Sequence, residues 1–448
     1  MLPIYTKYLS PSDYGIIAYA HSIQLFLFVL GALSLNSYVI RYYFIYSGDN
    51  ERREMIGTIH YFIILMNIAI LFLGFLIFPE VIDRFNIQVP WEPYMRLALI
   101  INFFDCFTIV PLVVYRVRQE AMKFMILGAS RTILLMLVTI YLVIYKQKGV
   151  LGTFEAQLYV YIIYALLYAT IIRRYSKLCL KINLLKEGLT FSLPLLPGAI
   201  CYFLLTVSDR IILERNVTMA ELGVYNVAAS MSLALNIVVQ SGYKALEPEI
   251  FKRYGKEDYY PFLNKAQKVF FAVVFICGLG LSLFSQEIFA IMTSEAFHQG
   301  YLLVPLLVLG VVFTGMNIIY GGVLQGEKRT KVQGLATVMS GVLSVSLNVI
   351  LVPIWGVYAA ALSSASSFMA MSLFFFWKMT YPGKRIYREI ILIISLVVIS
   401  YIIFYLFDSI SIHSVILKII SLFAFSYLTI KIYKINIKQV VSLIPQNK

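Results

Sequence analysis

Apolar and polar positions along this chain alternate in long blocks rather than residue by residue. Runs of roughly 20 apolar residues, enough for a helix to cross the hydrocarbon of a bilayer, fall at about 15–41, 55–78, 94–116, 121–145, 150–172, 187–212, 221–245, 266–290, 300–324, 332–352, 355–378, 389–407 and 413–433. These blocks predict about thirteen transmembrane helices. A bilayer offers no water to backbone groups, so a spanning segment must satisfy its own hydrogen bonds, and barrel strands would be shorter and strictly alternating. The expected fold is therefore an all-α, polytopic membrane protein.

Composition sharpens this picture. Of 448 residues, 60% are hydrophobic and 13% charged, with a mean hydropathy of +0.82, far too little polar surface for a water-soluble chain of this size. The net charge of +14 would fit a nucleic-acid binder if it were spread over a soluble surface, but its placement argues otherwise. With the loop after residue 41 on the cytoplasmic side and sides alternating from there, about 28 Lys and Arg fall on inner loops and 6 on outer ones. Arg52, Arg53, Arg173, Arg174, Lys328, Arg329, Lys384 and Arg385 belong to the inner set. That bias is the positive-inside signature of a cytoplasmic membrane. It makes each basic loop a topology determinant in preference to a lipid-headgroup or nucleic-acid site.

An internal repeat organises the blocks. Residues 9–20 read LSPSDYGIIAYA and residues 217–228 read VTMAELGVYNVA, so that at an offset of 208 Ser10 aligns with Thr218, Asp13 with Glu221 and Gly15 with Gly223. Each copy predicts an outer turn entering a helix, with Ser or Thr as cap and an acidic residue in the first turn. Six spans separate the copies, an even number, so the halves face the same way, as a parallel rather than an inverted repeat. The second copy is preceded by a complete span at 187–212 and the first only by MLPIYTKY. The expectation is that a first helix is largely missing ahead of Met1, through a late start or a form lacking it.

With the repeat in place, LSPSDYG, the seventh-span stretch FSLPLLPGAICYFLLTVSDRIIL and AELGVYNVA resemble the Wzx-type oligosaccharide flippases of the multidrug, oligosaccharidyl-lipid and polysaccharide (MOP) exporter superfamily. The resemblance covers essentially the whole chain. It implies two six-helix lobes in pseudo-twofold relation, expected at 1–172 and 187–380, and two additional helices at 389–433. It also implies transport of undecaprenyl-pyrophosphate-linked sugar repeat units for O-antigen or capsule by alternating access, in a bacterial inner membrane. Implied partners are lipid-linked oligosaccharide, membrane lipids and, further out, polymerase and chain-length proteins. Two rival readings stay open: a multidrug or small-molecule antiporter of the same superfamily, and an envelope polymerase or ligase. The latter is disfavoured by outer connections of at most about fifteen residues, too short for a catalytic domain.

Intramembrane charge supplies the candidate chemistry, because a charge in hydrocarbon is costly and marks a path or a pair. Arg131 lies about ten residues into its span, and Asp105 about as deep in the preceding antiparallel one. They are read equally as a packing salt bridge and as a diphosphate-binding arginine poised by a carboxylate. Arg96 and Arg210 are further substrate-binding candidates, although Arg96 sits near the outer end of its span and snorkelling explains it well. Glu155 and Asp209 are candidates for coupling to a proton or sodium ion, with Glu155 equally readable as a solvated helix-end carboxylate. Asp209 and Arg210, being adjacent on a helix, point in different directions and cannot be assumed to pair, and Lys418 is expected to snorkel to a headgroup. Pro194 and Pro197 predict a hinge in the seventh span, with further breaks at Pro111 and Pro305. GGVLQGEKRT carries Glu327 where a phosphate loop needs Lys, and the four histidines are scattered. No enzyme, ATP site, cofactor or catalytic metal is therefore expected.

Overall fold

The computed structural model describes residues 2–380, 387–407 and 410–435; Lys384 and Arg385 lie outside them. All regular structure among the described residues is helical, and twelve helical segments are long and apolar enough to cross a membrane. The difference from thirteen lies in one element. Thr330–Lys378 runs for 49 residues, about 74 Å at helical rise and more than twice the hydrocarbon thickness. Gly356 interrupts it with φ 54° and ψ −131°, a conformation that glycine tolerates and L-residues avoid. Pro353, three residues earlier, further weakens the ladder there. The predicted blocks 332–352 and 355–378 are thus two helices joined at Gly356 without an intervening loop.

The two copies of the repeat adopt the same local structure. Ser10 caps the Pro11–Ala32 helix: its hydroxyl accepts from the Asp13 backbone N–H at 3.2 Å, while the Asp13 carboxylate accepts from the Ser10 N–H at 2.8 Å. Thr218 and Glu221 repeat this reciprocal box at 3.2 and 2.9 Å, ahead of the Met219–Ser232 helix. The repeated spacing of the glycines now has a cause. A Cβ on Gly15 would stand 2.1 Å from the Met219 carbonyl oxygen, and one on Gly223 1.8 Å from that of Pro11. The two helix starts cross backbone to backbone, each through the other's glycine, and any side chain at either position forces them apart.

The chain divides into two compact units, residues 3–223 and 224–448. The first holds the spans from Pro11–Ala32 through Gly149–Ile172 together with Ile182–Leu213. This differs from the expected division at 172/187. The segment 187–212 opens the second copy by alignment, yet its helix packs along Pro11–Ala32, with Phe203 against Phe26 at 5.4 Å between ring centroids. A repeat specifies which residues correspond, whereas burial specifies which surfaces meet. The Ile182–Leu213 segment is broken at a 3₁₀ turn, Leu193–Leu195, where Pro194 sits. Pro197 follows in the first turn of Leu196–Leu213, where its missing N–H costs nothing. Pro111 follows the 3₁₀ turn Cys106–Thr108. Pro305 occupies the first turn of Val304–Gly326 and starts that helix rather than breaking it.

In the second unit the last two spans, Tyr387–Leu406 and Ile412–Tyr433, pack on Tyr259–Leu283. The Tyr401 hydroxyl donates to the Leu302 carbonyl at 2.8 Å. Here the expectation for Lys418 fails. Its side chain is fully buried, and its ammonium donates to Glu287 at 2.6 Å and to Gln286 at 3.3 Å. With Glu287 and Gln286 in reach, the ammonium is satisfied inside the helix pack and does not extend to a headgroup.

Candidate functional site: a charged centre in the first unit

The Trp91–Val117, Ala121–Tyr145 and Gly149–Ile172 spans form a helical meander within the first unit, and three side chains meet at its middle. Arg131 donates from Nη2 to Asp105 Oδ1 at 2.7 Å, and its guanidinium stacks over the Tyr161 ring at 3.9 Å from the centroid. The two charged side chains keep 18% and 27% of their exposure, so the pair is reachable and not sealed in the core. The guanidinium is thus fixed on one edge by the carboxylate and on one face by the aromatic ring, the geometry in which a planar cation loses least freedom on binding an anion. Around it, Thr108 donates to the Asp105 carbonyl at 2.8 Å and Tyr164 to Ser130 Oγ at 2.7 Å. Tyr161, Tyr164 and Tyr168 recur at helical spacing and line the face turned to the 121–140 helix.

A second group lies on the Pro11–Ala32 and Leu196–Leu213 helices. His21, ten residues into its helix, is exposed although protein surrounds it, and it lies within electrostatic range of both Arg210 and Asp105. It lines a cavity of about 140 Å³ with Tyr5, Tyr14, Gln24, Thr139 and Gln157. Asp209 and Arg210 do pair, which their adjacency in sequence left open. Asp209 Oδ1 accepts from the Arg210 backbone N–H at 2.8 Å and from its Nη1 at 3.1 Å. The arginine stem is long enough to fold back across the 100° that separates neighbours on a helix, and Nη1 also donates to the Thr206 carbonyl at 3.2 Å.

The remaining candidates stand apart from this centre. Arg96 forms an exposed pair with Glu92 at 2.7 Å, an end-of-span arrangement. Glu155 accepts from Lys148 at 2.6 Å, likewise at the start of its helix. Three of the span amides bridge helices: Gln24 donates to the Ala98 carbonyl at 3.3 Å, Asn67 to that of Gly31 at 3.4 Å and Asn317 to that of Phe368 at 3.1 Å. Sequence reasoning missed His21 and Tyr161. His21 belongs to a stripe with Tyr14 and Gln24 at positions i, i+7 and i+10, which a periodicity count would have found. Tyr161 is one of 33 tyrosines, and only the Tyr161, Tyr164, Tyr168 spacing sets it apart. Among the described residues no cluster of His, Cys, Asp and Glu is arranged to hold a metal.

Taken together, twelve apolar helical segments among the described residues define a multi-pass, all-helical membrane protein, with charged, partly open side chains at mid-helix. Solved structures share its fold. A lipid II flippase MurJ in an inward closed conformation superposes with a TM-score of 0.73 at 16% identity, covering 96% of this chain and 95% of that one. An inward-facing multidrug resistance MATE family transporter of the MOP superfamily gives 0.69 at 13% identity, with 84% and 92% covered. A Vibrio cholerae MATE transporter gives 0.55 at 12%, with 82% and 94% covered. No curated protein sequence matches the chain. Residues 4–250 match the family described as polysaccharide biosynthesis protein, and the chain belongs to that family.

Proposed function

We propose that this protein flips undecaprenyl-pyrophosphate-linked oligosaccharide across a bacterial cytoplasmic membrane, in the assembly of a surface polysaccharide such as O-antigen or capsule. The observation that carries the reading is Arg131. A guanidinium held at mid-span by Asp105 and Tyr161, yet partly open, suits a diphosphate that must pass through hydrocarbon. Membership of a polysaccharide biosynthesis family and a fold shared with a lipid II flippase support a lipid-linked saccharide as cargo. In this reading Arg131 is the anion ligand and Asp105 its positioning partner. Arg210 with Asp209 offers a second charged station, and His21, which feels the charges of both Arg210 and Asp105, is the group best placed to carry a coupling proton. The break at Pro194 is the hinge. No bond of the cargo is made or broken, so the protein acts as a transporter and not as an enzyme.

The test is genetic. A deletion strain is expected to lose its surface polysaccharide and to accumulate undecaprenyl-linked repeats on the cytoplasmic side; wild type restores export and Arg131→Ala does not. Full rescue by Arg131→Ala removes that residue from the mechanism. Drug hypersensitivity with an unchanged glycan coat would favour an antiporter instead.

A further inference from the structure

A second concave surface of the first unit lies away from the Arg131 centre, at the end where the basic loops gather. There the segment after Ser34 and the start of the Ile182–Ser192 helix form an open groove of about 550 Å³, lined by Tyr42, Asn183, Lys186, Glu187, Thr190 and Phe191. Lys177 and Lys181 pair with Glu54 at 3.1 and 2.6 Å at this same end, and the positive-inside bias assigns it to the cytoplasm.

Its walls are built and not incidental. Tyr42 and Phe191 stand 5.6 Å apart at 76°, making two nearly perpendicular aromatic faces, and Tyr38 backs Tyr42 at 4.3 Å. Arg41 stacks on Phe191 at 5.2 Å. The hydroxyls of Tyr38 and Tyr46 both donate to Glu187 Oε2, the former at 2.9 Å. Two bonds thus fix the carboxylate, and Oε1 has no protein partner among the described residues. The Asn183 side chain likewise makes no hydrogen bond to a described residue. Aromatic faces for the C–H side of a pyranose, with a fixed carboxylate and an amide for its hydroxyls, form the combination that recognises a sugar ring.

We propose that this groove is a cytoplasmic docking site for the saccharide head of the lipid-linked cargo, stacking a sugar ring on Tyr42 and Phe191 while Glu187 and Asn183 bond its hydroxyls. The proposal rests on the flippase reading. It adds a station that selects for sugar before the diphosphate reaches Arg131.

The experiment measures binding to the full-length protein in nanodiscs. The probes are undecaprenyl-pyrophosphoryl N-acetylglucosamine, N-acetylgalactosamine, glucose and galactose, with sugar-free undecaprenyl pyrophosphate as reference. Wild type is expected to bind at least one sugar-bearing lipid about tenfold more tightly than the reference. Tyr42→Ala with Phe191→Ala is expected to erase that preference while affinity for the reference stays within about twofold. Because those rings also pack against the core, Asn183→Ala, at an exposed position, is the second variant and is expected to reduce the preference. Wild type binding all four sugar-bearing lipids no better than the reference, or both variants keeping the preference, overturns the site. Normal surface glycan in the deletion strain would instead overturn the flippase reading, so the two failures are told apart.

Discussion

The Asp105–Arg131 pair separates structural from functional roles through a double-mutant cycle. At 2.7 Å and an effective dielectric near 20, the direct attraction is about 6 kcal/mol before desolvation is subtracted. Removing one member of a buried pair costs about 3–5 kcal/mol, because the other is left uncompensated; the residual exposures of 18% and 27% place this pair near the lower bound. Arg131→Ala should be the more damaging single change. It strands Asp105 with the Thr108 hydroxyl at 3.5 Å, whereas Asp105→Ala leaves Arg131 its stack on Tyr161. The double variant removes both charges and should cost less than the sum of the singles by at least about 1.5 kcal/mol. Denaturant unfolding of the purified protein in detergent reads this coupling, and surface-glycan output in the deletion strain reads function. The expected pattern is stability partly regained and export still lost in the double variant, because a neutral pair has no ligand for a diphosphate. Strict additivity in stability would refute the coupling, and restored export would reduce Arg131 to a packing residue.

Three further outcomes follow from the same geometry. Gly15→Ala and Gly223→Ala each drive a Cβ into a backbone carbonyl at 2.1 and 1.8 Å and should cost about 1–3 kcal/mol by thermal unfolding; Gly128→Ala, with nothing within 4 Å, should be neutral or stabilising by up to about 1 kcal/mol. Lys418→Met should destabilise by about 3 kcal/mol through the stranded Glu287, and adding Glu287→Leu should recover much of that loss; equal stability of the two variants would show the pair to be uncoupled. In the loop before the 121–140 helix, Arg118 and then Lys123 hold the Glu120 carboxyl below its ordinary range. The stabilisation this gives is therefore present above the unfolded-state value of about 4.3 and fades as pH falls through the lower folded value. Glu120→Gln should flatten the acid limb of a Tm-against-pH profile below about pH 5, and an unchanged limb would contradict the pairing.

Much of the architecture is legible in the sequence because a bilayer imposes a length and a hydropathy that local composition alone reveals. The spans and the capped helix starts at Ser10 and Thr218 all appear where the apolar blocks and the repeat put them. What composition cannot carry is which surfaces meet across sequence distance. Nothing near Lys418 indicates that Glu287, 131 positions earlier, comes within hydrogen-bond reach. The repeat likewise gives no sign that the 187–212 span packs with residues that precede it. The joint at Gly356 was hidden for the opposite reason. Two apolar blocks separated by a few residues read as a tight loop, whereas one glycine at positive φ makes the turn by itself.

The intramembrane charges divide by depth, and that division is the physical core of the site. Arg96 and Glu155 lie near helix ends, where water is close and a partner four or seven residues away on the same stretch, Glu92 or Lys148, satisfies them cheaply. Arg131 lies ten residues into the 25-residue Ala121–Tyr145 segment, and its partners come from two other helices, Asp105 from one and Tyr161 from the next. Three helices have to converge to keep that guanidinium charged, and they converge without closing over it. A purely structural bridge at this depth is better served by complete burial or by an apolar replacement of equal volume, which is commonly at least as stable. Under the proposed function, partial exposure at mid-helix leaves the guanidinium open to a ligand from outside the helix bundle, and its charge favours an anion.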